Sequence, residues 1–192
     1  MNALRAEIGK LLTLPSLWIT ALLTLAVTLL LRALDLPGSV LVHTQAGLLV
    51  FGVLAATHEY QGGGQIRTTL LALPRRLPLA MNKALALTIV AAPLAATTAL
   101  LGGDTSAALP LTASMLLAAG IGGLLRQAVA GVGVVLTAYL IACPLLRARW
   151  PASDPWLPDT ALLDQAQGLP GALVWTAATL GAAAFALHSR DA

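Results

Sequence analysis

Residues 58–83 are the longest polar and basic interruption in a chain that otherwise consists of long apolar runs. The stretch carries four basic residues against a single acid, Glu59, and apolar runs of membrane-spanning length lie on both sides of it. Basic residues close to membrane spans favour the cytoplasmic side. We therefore predict that this loop is cytoplasmic, and its position then fixes the side of every other loop.

The apolar runs predict an all-α polytopic membrane protein with one transmembrane domain over residues 1–192. Of the 192 residues, 58% are hydrophobic and only 10% are charged, whereas soluble domains have roughly 25% charged residues. About 20 residues at 1.5 Å each cross a hydrocarbon core of about 30 Å. The six predicted spans cover about 16–34, 40–57, 84–101, 108–125, 128–146 and 171–188.

The distribution of charge predicts that both termini are cytoplasmic. With six spans in this orientation, eight of the eleven basic residues lie inside and five of the eight acids lie outside. The opposite orientation would invert this bias. Residues 1–15 are too polar for the apolar core of a cleavable signal peptide, so the first span is predicted to remain in the protein.

Two short amphipathic helices are predicted on the cytoplasmic side. In residues 1–14, apolar side chains recur at helical spacing among charged ones, which is typical of a helix lying on the membrane surface. In residues 65–73, Ile66, Leu70 and Leu73 recur at the same spacing, and Pro74 stops the helix. A helix this short cannot bury its apolar face alone, so the second helix is predicted to need a partner.

The run from Glu59 through residues 64–76, GQIRTTLLALPRR, resembles the segment between the second and third spans of ABC-2 type permeases, the membrane subunits of one class of ABC exporter. In that family an acidic residue ends the second span, a Gly-Thr-Ile-Arg-like sequence opens a coupling helix, and a Pro-Arg or Pro-Val pair follows. Here Gln65 stands where threonine is usual. Residues 15–18, Pro-Ser-Leu-Trp, resemble the entry to the first span that follows the elbow helix of the family.

The resemblance implies the permease subunit of an ATP-driven exporter in the cytoplasmic membrane of a bacterium. Such a permease pairs with a second copy or a paralogue and with two separate ATPase subunits, which bind ATP and Mg²⁺. The chain itself is then not an enzyme and holds no cofactor. The expected substrate is amphiphilic or hydrophobic, such as a drug, lipid or peptide antibiotic, on a pathway between protomers that spans 1, 2 and 5 line.

The resemblance also implies roles for three segments and for particular residues. Residues 1–14 would be the elbow helix, 58–83 the coupling loop, and 147–170 an external, partly re-entrant segment. Arg5 and Lys10 are expected to hold the elbow helix at the lipid headgroups. The residues expected to couple to the ATPase are Glu59, which braces the loop, and Gly64, Ile66, Arg67, Leu70 and Leu73, which contact it.

Residues 147–170 differ in character from the rest of the chain, with four prolines, two tryptophans and three aspartates. Trp150 and Trp156 are suited to the boundary between membrane and water. A short helix over residues 159–167, capped by Asp159, is predicted within this segment.

Several kinds of chemistry are not encoded. Gln65 and the two residues after it follow the triple glycine, so there is no phosphate-binding P-loop. The single cysteine, Cys143, excludes an intramolecular disulfide, and no basic stripe points to nucleic acid. His58 and Glu59 are predicted to fix the loop rather than to handle protons. For Gln45, a hydrogen bond between helices is favoured over contact with substrate.

Two other functions are compatible with the same spans. A membrane scaffold or sensor subunit would use the basic loop to recruit a cytoplasmic protein without transporting anything. A secondary carrier driven by an ion gradient is the other alternative. Carriers of this kind usually need a buried acid within a span, and the predicted spans contain none away from an interface.

Overall fold

The computed structural model describes residues 2–35, 39–60 and 76–190, and within these residues the chain is helical with no β-strand. The predicted all-α fold and the six predicted spans are confirmed, because six helices are long and apolar enough to cross a membrane. A separate N-terminal helix, Asn2–Thr13, precedes them. The six are span 1, Pro15–Ala33; span 2, Val40–Thr57; span 3, Arg76–Gly102; span 4, Ala108–Leu125; span 5, Ala128–Arg149; and span 6, Gln165–Arg190.

Two spans begin earlier than predicted. Span 3 starts at Arg76, so residues 76–83 belong to a helix and not to the loop assigned to them. Span 6 starts at Gln165, because the Asp164 carboxylate accepts hydrogen bonds from the backbone N–H groups of the second and third residues of the helix, at 3.1 and 3.3 Å. The predicted helix over residues 65–73 lies outside the described residues.

The segment between spans 5 and 6 is therefore shorter than the predicted 147–170, since span 5 continues to Arg149 and only residues 150–164 lie between the helices. A 3₁₀ helix, Pro151–Trp156, and one α-helical turn, Thr160–Leu163, occupy this interval. The predicted helix over 159–167 breaks at Asp164. Asp159 precedes the short helix without capping it, because its carboxylate binds Arg147 instead.

Spans 2 and 4 form the centre of the bundle, and more than half of each is buried by the other helices. Their backbones come close at Gly52, where a Cβ atom would lie 2.2 Å from the carbonyl oxygen of Met115. Small residues allow this kind of approach between membrane helices. Nearby, the side-chain amide of Gln45 donates a hydrogen bond of 2.9 Å to the hydroxyl of Ser114. The predicted role of Gln45 in joining two helices is confirmed.

Span 5 contains one π-helical turn, Ala138–Ala142, between two α-helical parts. The buried residues Val135, Tyr139 and Cys143 recur every four positions. In a regular α-helix, with 3.6 residues per turn, each step of four rotates the side chain about 40° away from its neighbours. The wider turn takes up part of that rotation. Pro144 lies just beyond it and lacks the N–H that would bond the carbonyl four residues earlier, which releases the regular hydrogen-bond pattern.

The helices alternate in direction, so the bundle has two distinct ends. We call one end the terminal side; it carries the N-terminal helix, the turn His58–Tyr60, Arg126 and the last residues of span 6. The opposite side carries the end of span 1, the start of span 2, and the links between spans 3 and 4 and between spans 5 and 6. There the Arg32 guanidinium donates to the carbonyl of Leu101 at 3.2 Å and so joins span 1 to span 3.

Candidate functional site

The candidate site lies on the terminal side and is built around the carboxylate of Glu59. After span 2 ends, the 3₁₀ turn His58–Tyr60 directs this side chain into the protein, where only 1% of the residue remains exposed. A buried carboxylate is unfavourable unless positive or hydrogen-bonding groups surround it. The surroundings of Glu59 meet this requirement through two lysines from different helices.

Each oxygen of the Glu59 carboxylate binds one ammonium group. Oε1 accepts a hydrogen bond from Lys10 of the N-terminal helix at 3.0 Å, and Oε2 accepts one from Lys83 of span 3. Lys10 also binds Glu7, one turn earlier in its own helix, at 2.8 Å. We call these four residues the Glu59 cluster. It fastens the N-terminal helix, the end of span 2 and the first part of span 3 to one another.

The formal charges of the Glu59 cluster sum to zero, because two glutamates face two lysines. The glutamates are almost fully buried, whereas the side chains of Lys10 and Lys83 are 35% and 28% exposed. Burial lowers the pKa of Lys10, but hydrogen bonds to Glu7 and Glu59 outweigh this effect, so the pKa lies above its usual range. Lys10 is therefore charged at neutral pH, and the pairing persists under physiological conditions.

The turn after span 2 is joined to two further helices through Arg126. This residue ends span 4 in the left-handed conformation, with φ at 56°, and its guanidinium lies 5.3 Å from the centre of the Tyr60 ring. The same guanidinium donates to the carbonyl oxygen of Ala186 in span 6 at 3.4 Å. A cation over an aromatic face is attracted by the ring quadrupole. The N-terminal helix and spans 3, 4 and 6 are thus tied, directly or through Arg126, to residues 58–60.

Of the two ring nitrogens of His58, only one has a hydrogen-bond partner among the described residues. Its Nδ1 lies 2.8 Å from the carbonyl oxygen of Ala55, and because a carbonyl can only accept, Nδ1 carries the proton and donates. Its Nε2 is buried and has no hydrogen-bond partner among the described residues. A buried imidazolium would leave a charged N–H unpaired, so the neutral ring is favoured and Nε2 is an acceptor.

A cavity of about 310 Å³ lies beside the Glu59 cluster, between the N-terminal helix and spans 2, 3, 4 and 6. Its wall is mostly alanine, leucine and glycine. The polar side chains in the wall are Glu7, His58, Tyr60 and Lys83, all near the terminal side. The other end of the cavity reaches into the bundle at Gly120 and Leu180, so one end is polar and the other apolar.

The structure brings together only some of the residues singled out from the sequence. Glu59 and Lys10 are in direct contact, whereas Arg5 is exposed on the N-terminal helix. The expected role of Arg5 and Lys10 at lipid headgroups stays a prediction. The residues expected to contact an ATPase, which are Gly64, Ile66, Arg67, Leu70 and Leu73, lie outside the described residues.

Sequence reasoning did not assign Lys83 or Glu7 to the site. The signal was present, because Glu59 and Lys83 lie at the two ends of the polar interruption and have opposite charges. Pairing between them depends on how the end of span 2 packs against the first part of span 3, which the sequence does not show.

Comparison with protein-family models, with curated proteins and with solved structures finds no match to this chain. Among the residues that the structure describes, no three histidine, cysteine, aspartate or glutamate side chains come together as metal ligands. The proposals below therefore rest on the sequence and on the geometry of the terminal side.

A second ion-pair cluster orders the opposite side. The Arg147 guanidinium at the end of span 5 binds Asp154 at 2.6 Å and Asp159 at 2.9 Å. It also donates to the hydroxyl of Thr160 at 3.0 Å, and that hydroxyl in turn donates to the Asp154 carboxylate at 2.9 Å. One arginine thus holds most of residues 150–164 against the end of its span.

Proposed function

We propose that the chain is the permease subunit of an ATP-driven exporter, which moves an amphiphilic or hydrophobic substrate across the cytoplasmic membrane with a separate ATPase subunit. Two features support this proposal. Residues 59–76 resemble the coupling segment of ABC-2 type permeases, and the six apolar helices agree with the layout of that family. In this proposal residues 61–75 receive the ATPase, and the terminal side faces the cytoplasm.

The observation that carries the proposal is the position of the Glu59 cluster relative to residues 61–75. Glu59 lies just before this loop, and Lys83 lies in the first part of span 3, which follows the loop. The two side chains bind each other. Lys10 adds the N-terminal helix to the same carboxylate. A displacement of the loop would therefore act on three helices together, as a coupling element requires.

In the proposed mechanism, ATP binding closes the two ATPase subunits and pushes residues 61–75. The charge pairs at Glu59 are short and direct, so they transmit the displacement to the N-terminal helix and to span 3 without a flexible link. The guanidinium of Arg126, placed over Tyr60 and bound to the carbonyl of Ala186, extends the connection to spans 4 and 6. The protein contributes no chemistry of its own to ATP hydrolysis in this scheme.

The decisive experiment combines purification from native membranes with an ATPase assay. A mild-detergent pull-down of the full chain should bring with it a P-loop ATPase whose activity vanadate inhibits. The double variant Arg67→Glu with Leu70→Asp should insert normally and abolish stimulation of that ATPase, because it places two negative charges on the face proposed to contact it. Arg149→Glu, a charge reversal on the opposite side, should leave stimulation unchanged.

Two outcomes would overturn the proposal. Full ATPase stimulation by the double variant would remove residues 61–75 as the contact. Purification of the chain without an ATPase, but with another cytoplasmic protein bound to the basic loop, would favour a scaffold subunit instead.

A further inference from the structure

We propose that the turn His58–Tyr60 is an acid-sensitive switch, in which protonation of His58 opens the turn and separates the Glu59 carboxylate from Lys10 and Lys83. Mild acidification then loosens the N-terminal helix and the first part of span 3 from the end of span 2. This inference does not rest on the permease proposal, because it concerns only contacts within the chain.

The closed turn does not accommodate a second proton on the ring of His58. Nδ1 already donates to the carbonyl oxygen of Ala55 at 2.8 Å, and Nε2 is buried with no hydrogen-bond partner among residues 2–35, 39–60 and 76–190. Protonation would place a charged N–H at Nε2 with no acceptor there, which is unfavourable. Because the imidazole is rigid, Nε2 reaches water only if the ring leaves the Ala55 carbonyl or the turn itself moves.

Within the described part of the chain, the charged and titratable groups around the turn come from the turn itself and from the neighbouring helices. They are Glu7 and Lys10 of the N-terminal helix, Glu59 and Tyr60 of the turn, Lys83 of span 3, Arg126 of span 4 and His188 of span 6. Glu59 and Glu7 attract a positively charged ring, whereas Lys83 repels it. Both oxygens of Glu59 bind lysines in the closed turn, so its charge is already largely compensated.

The balance of these effects sets the direction of the switch. The pKa of His58 lies below its ordinary value because burial disfavours the charged ring, and the Ala55 carbonyl and the two glutamates oppose burial without reversing it. In the open turn the ring regains its ordinary pKa of about 6.5. The open turn therefore binds the proton more tightly, and the closed turn loses stability as the pH falls below about 6.5, until the closed ring is protonated as well.

Glu59 titrates in a separate pH range. Burial raises the pKa of this carboxyl, but the charges and hydrogen bonds of Lys83 and Lys10 outweigh burial, so the pKa lies below its ordinary value of 4.5. Glu59 therefore keeps its charge between pH of about 5.5 and 7.5. In that interval histidine is the side chain whose ordinary pKa allows a change of charge.

The turn connects His58 to the three helices that meet at Glu59. The backbone N–H of His58 bonds to the carbonyl of Leu54 at the end of span 2, and Glu59 is the next residue. Movement of His58 must therefore shift the backbone that carries the Glu59 carboxylate. The two lysines hold that carboxylate from separate helices, so both contacts lengthen when the turn opens.

The test is hydrogen exchange of the full chain in lipid nanodiscs, measured by mass spectrometry on peptides that contain residues 58–60. Exchange rates are corrected for the intrinsic effect of pH, so that they report the opening of the turn. Between pH of about 7.5 and 5.5, we expect the opening equilibrium to rise by up to about tenfold, since pH 5.5 lies about one unit below the pKa of the open turn.

The three histidines of the chain supply a matched set of variants. His58→Asn retains an N–H donor where Nδ1 lies but does not titrate, so exchange at residues 58–60 should no longer respond to acid. His43→Asn is the control, because His43 has the same kind of bond from Nδ1 to a backbone carbonyl but is exposed at the other end of span 2. His188→Asn is a second control at an exposed histidine on the terminal side. Both controls should keep the acid response.

A lysine variant tests whether the turn and the Glu59 cluster open together. If they do, loss of a lysine must favour the open turn in the same way that opening the turn weakens the lysine contact. Lys83→Met should therefore increase exchange at residues 58–60 at least about fivefold at neutral pH, because it removes a hydrogen bond between charged groups. Arg149→Met, on the opposite side, should leave that exchange unchanged.

Four results would overturn the inference. Exchange of the wild type that stays constant down to pH of about 5.5, and rises only where carboxylates titrate, would exclude His58 as the sensor. This result decides the question even if His58→Asn does not insert. A full acid response in His58→Asn, or its loss in either control histidine variant, would assign the effect to another group. Unchanged exchange in Lys83→Met would show that the turn opens without the Glu59 cluster.

Discussion

The carboxylate of Glu59 binds the ammonium of Lys10 at 3.0 Å, although the two residues are 49 positions apart in the sequence. The contact joins the N-terminal helix to the end of span 2 at a point where Glu59 is almost entirely buried. The N-terminal helix is therefore held to the bundle by charge as well as by the packing of its buried residue Leu11. Its position depends on the same carboxylate that also binds span 3.

Substitution Glu59→Gln should destabilise the protein by about 1–3 kcal/mol, because two ammonium groups lose their ionised acceptor. The loss should stay below the roughly 3–5 kcal/mol seen for fully buried pairs, since water reaches part of both lysines. Equilibrium unfolding in detergent micelles measures this difference. Asp35→Asn, which alters an exposed acid, should change stability little, and an equal effect of the two substitutions would contradict a special role for Glu59.

The contribution of Asp154 to stability should depend on pH. Hydrogen bonds from Arg147 and Thr160 lower the pKa of this carboxyl below its ordinary value of about 3.9. Its contribution is therefore complete above pH of about 4 and is lost as the pH falls through the lower value of the folded state. The difference in melting temperature between the wild type and Asp154→Asn should be present at pH 7 and should shrink towards pH 3. A difference that stays constant over this range would contradict the pairing with Arg147.

Substitution Gly52→Ala should force spans 2 and 4 apart. The added Cβ would lie 2.2 Å from a backbone oxygen of Met115, which cannot move without displacing its helix. We expect a loss of about 1–3 kcal/mol, in the range for overpacked cores. Gly9→Ala is the control, because nothing lies within 4 Å of the new methyl group and removal of a glycine from a helix stabilises it by roughly 0.5–1 kcal/mol. Opposite signs for the two variants are the expected result in a thermal unfolding assay, and a neutral Gly52→Ala would contradict the close approach.

Substitution Ser114→Ala should remove the hydrogen bond between spans 2 and 4 and leave the Gln45 amide without its acceptor. Such bonds in membrane bundles are worth about 0.6 kcal/mol on average and up to about 1.7 kcal/mol. Thr97→Val is the matched control, since within the described residues the Thr97 hydroxyl bonds only to carbonyls of its own helix. Unfolding measurements should show a larger loss for Ser114→Ala. A loss no larger than that of the control would indicate that Gln45 gains nothing from the contact.

The fold was largely predictable because a lipid environment leaves an apolar run of about 18 residues one stable choice, a helix with all its backbone groups paired. The N-terminal helix was predicted for a similar reason, from the helical spacing of its apolar residues. Helix ends were less predictable. The start of span 6 depends on the backbone contacts of Asp164, and the apolar pattern that defines the span begins several residues later.

The candidate site was predictable only in part. The sequence shows that Glu59 ends an apolar run and that lysines exist in the neighbouring segments. It does not show that Lys10 and Lys83 meet at one carboxylate, because this depends on how three helices pack. The unpaired Nε2 of His58 likewise follows from the direction of the ring, which the bond to the Ala55 carbonyl sets.

The π-helical turn in span 5 contains an extra residue, so the two halves of the span follow helical periodicities that are out of phase. A helical wheel drawn through the entire span would place some buried positions of the second half on the lipid face. A substitution scan along the span should therefore show two periodic patterns of sensitivity with a phase break within Ala138–Ala142. Deletion of one residue in that turn would convert span 5 into a single regular helix with one periodic pattern. The π-helical turn is therefore the place in span 5 where a change in length is best tolerated.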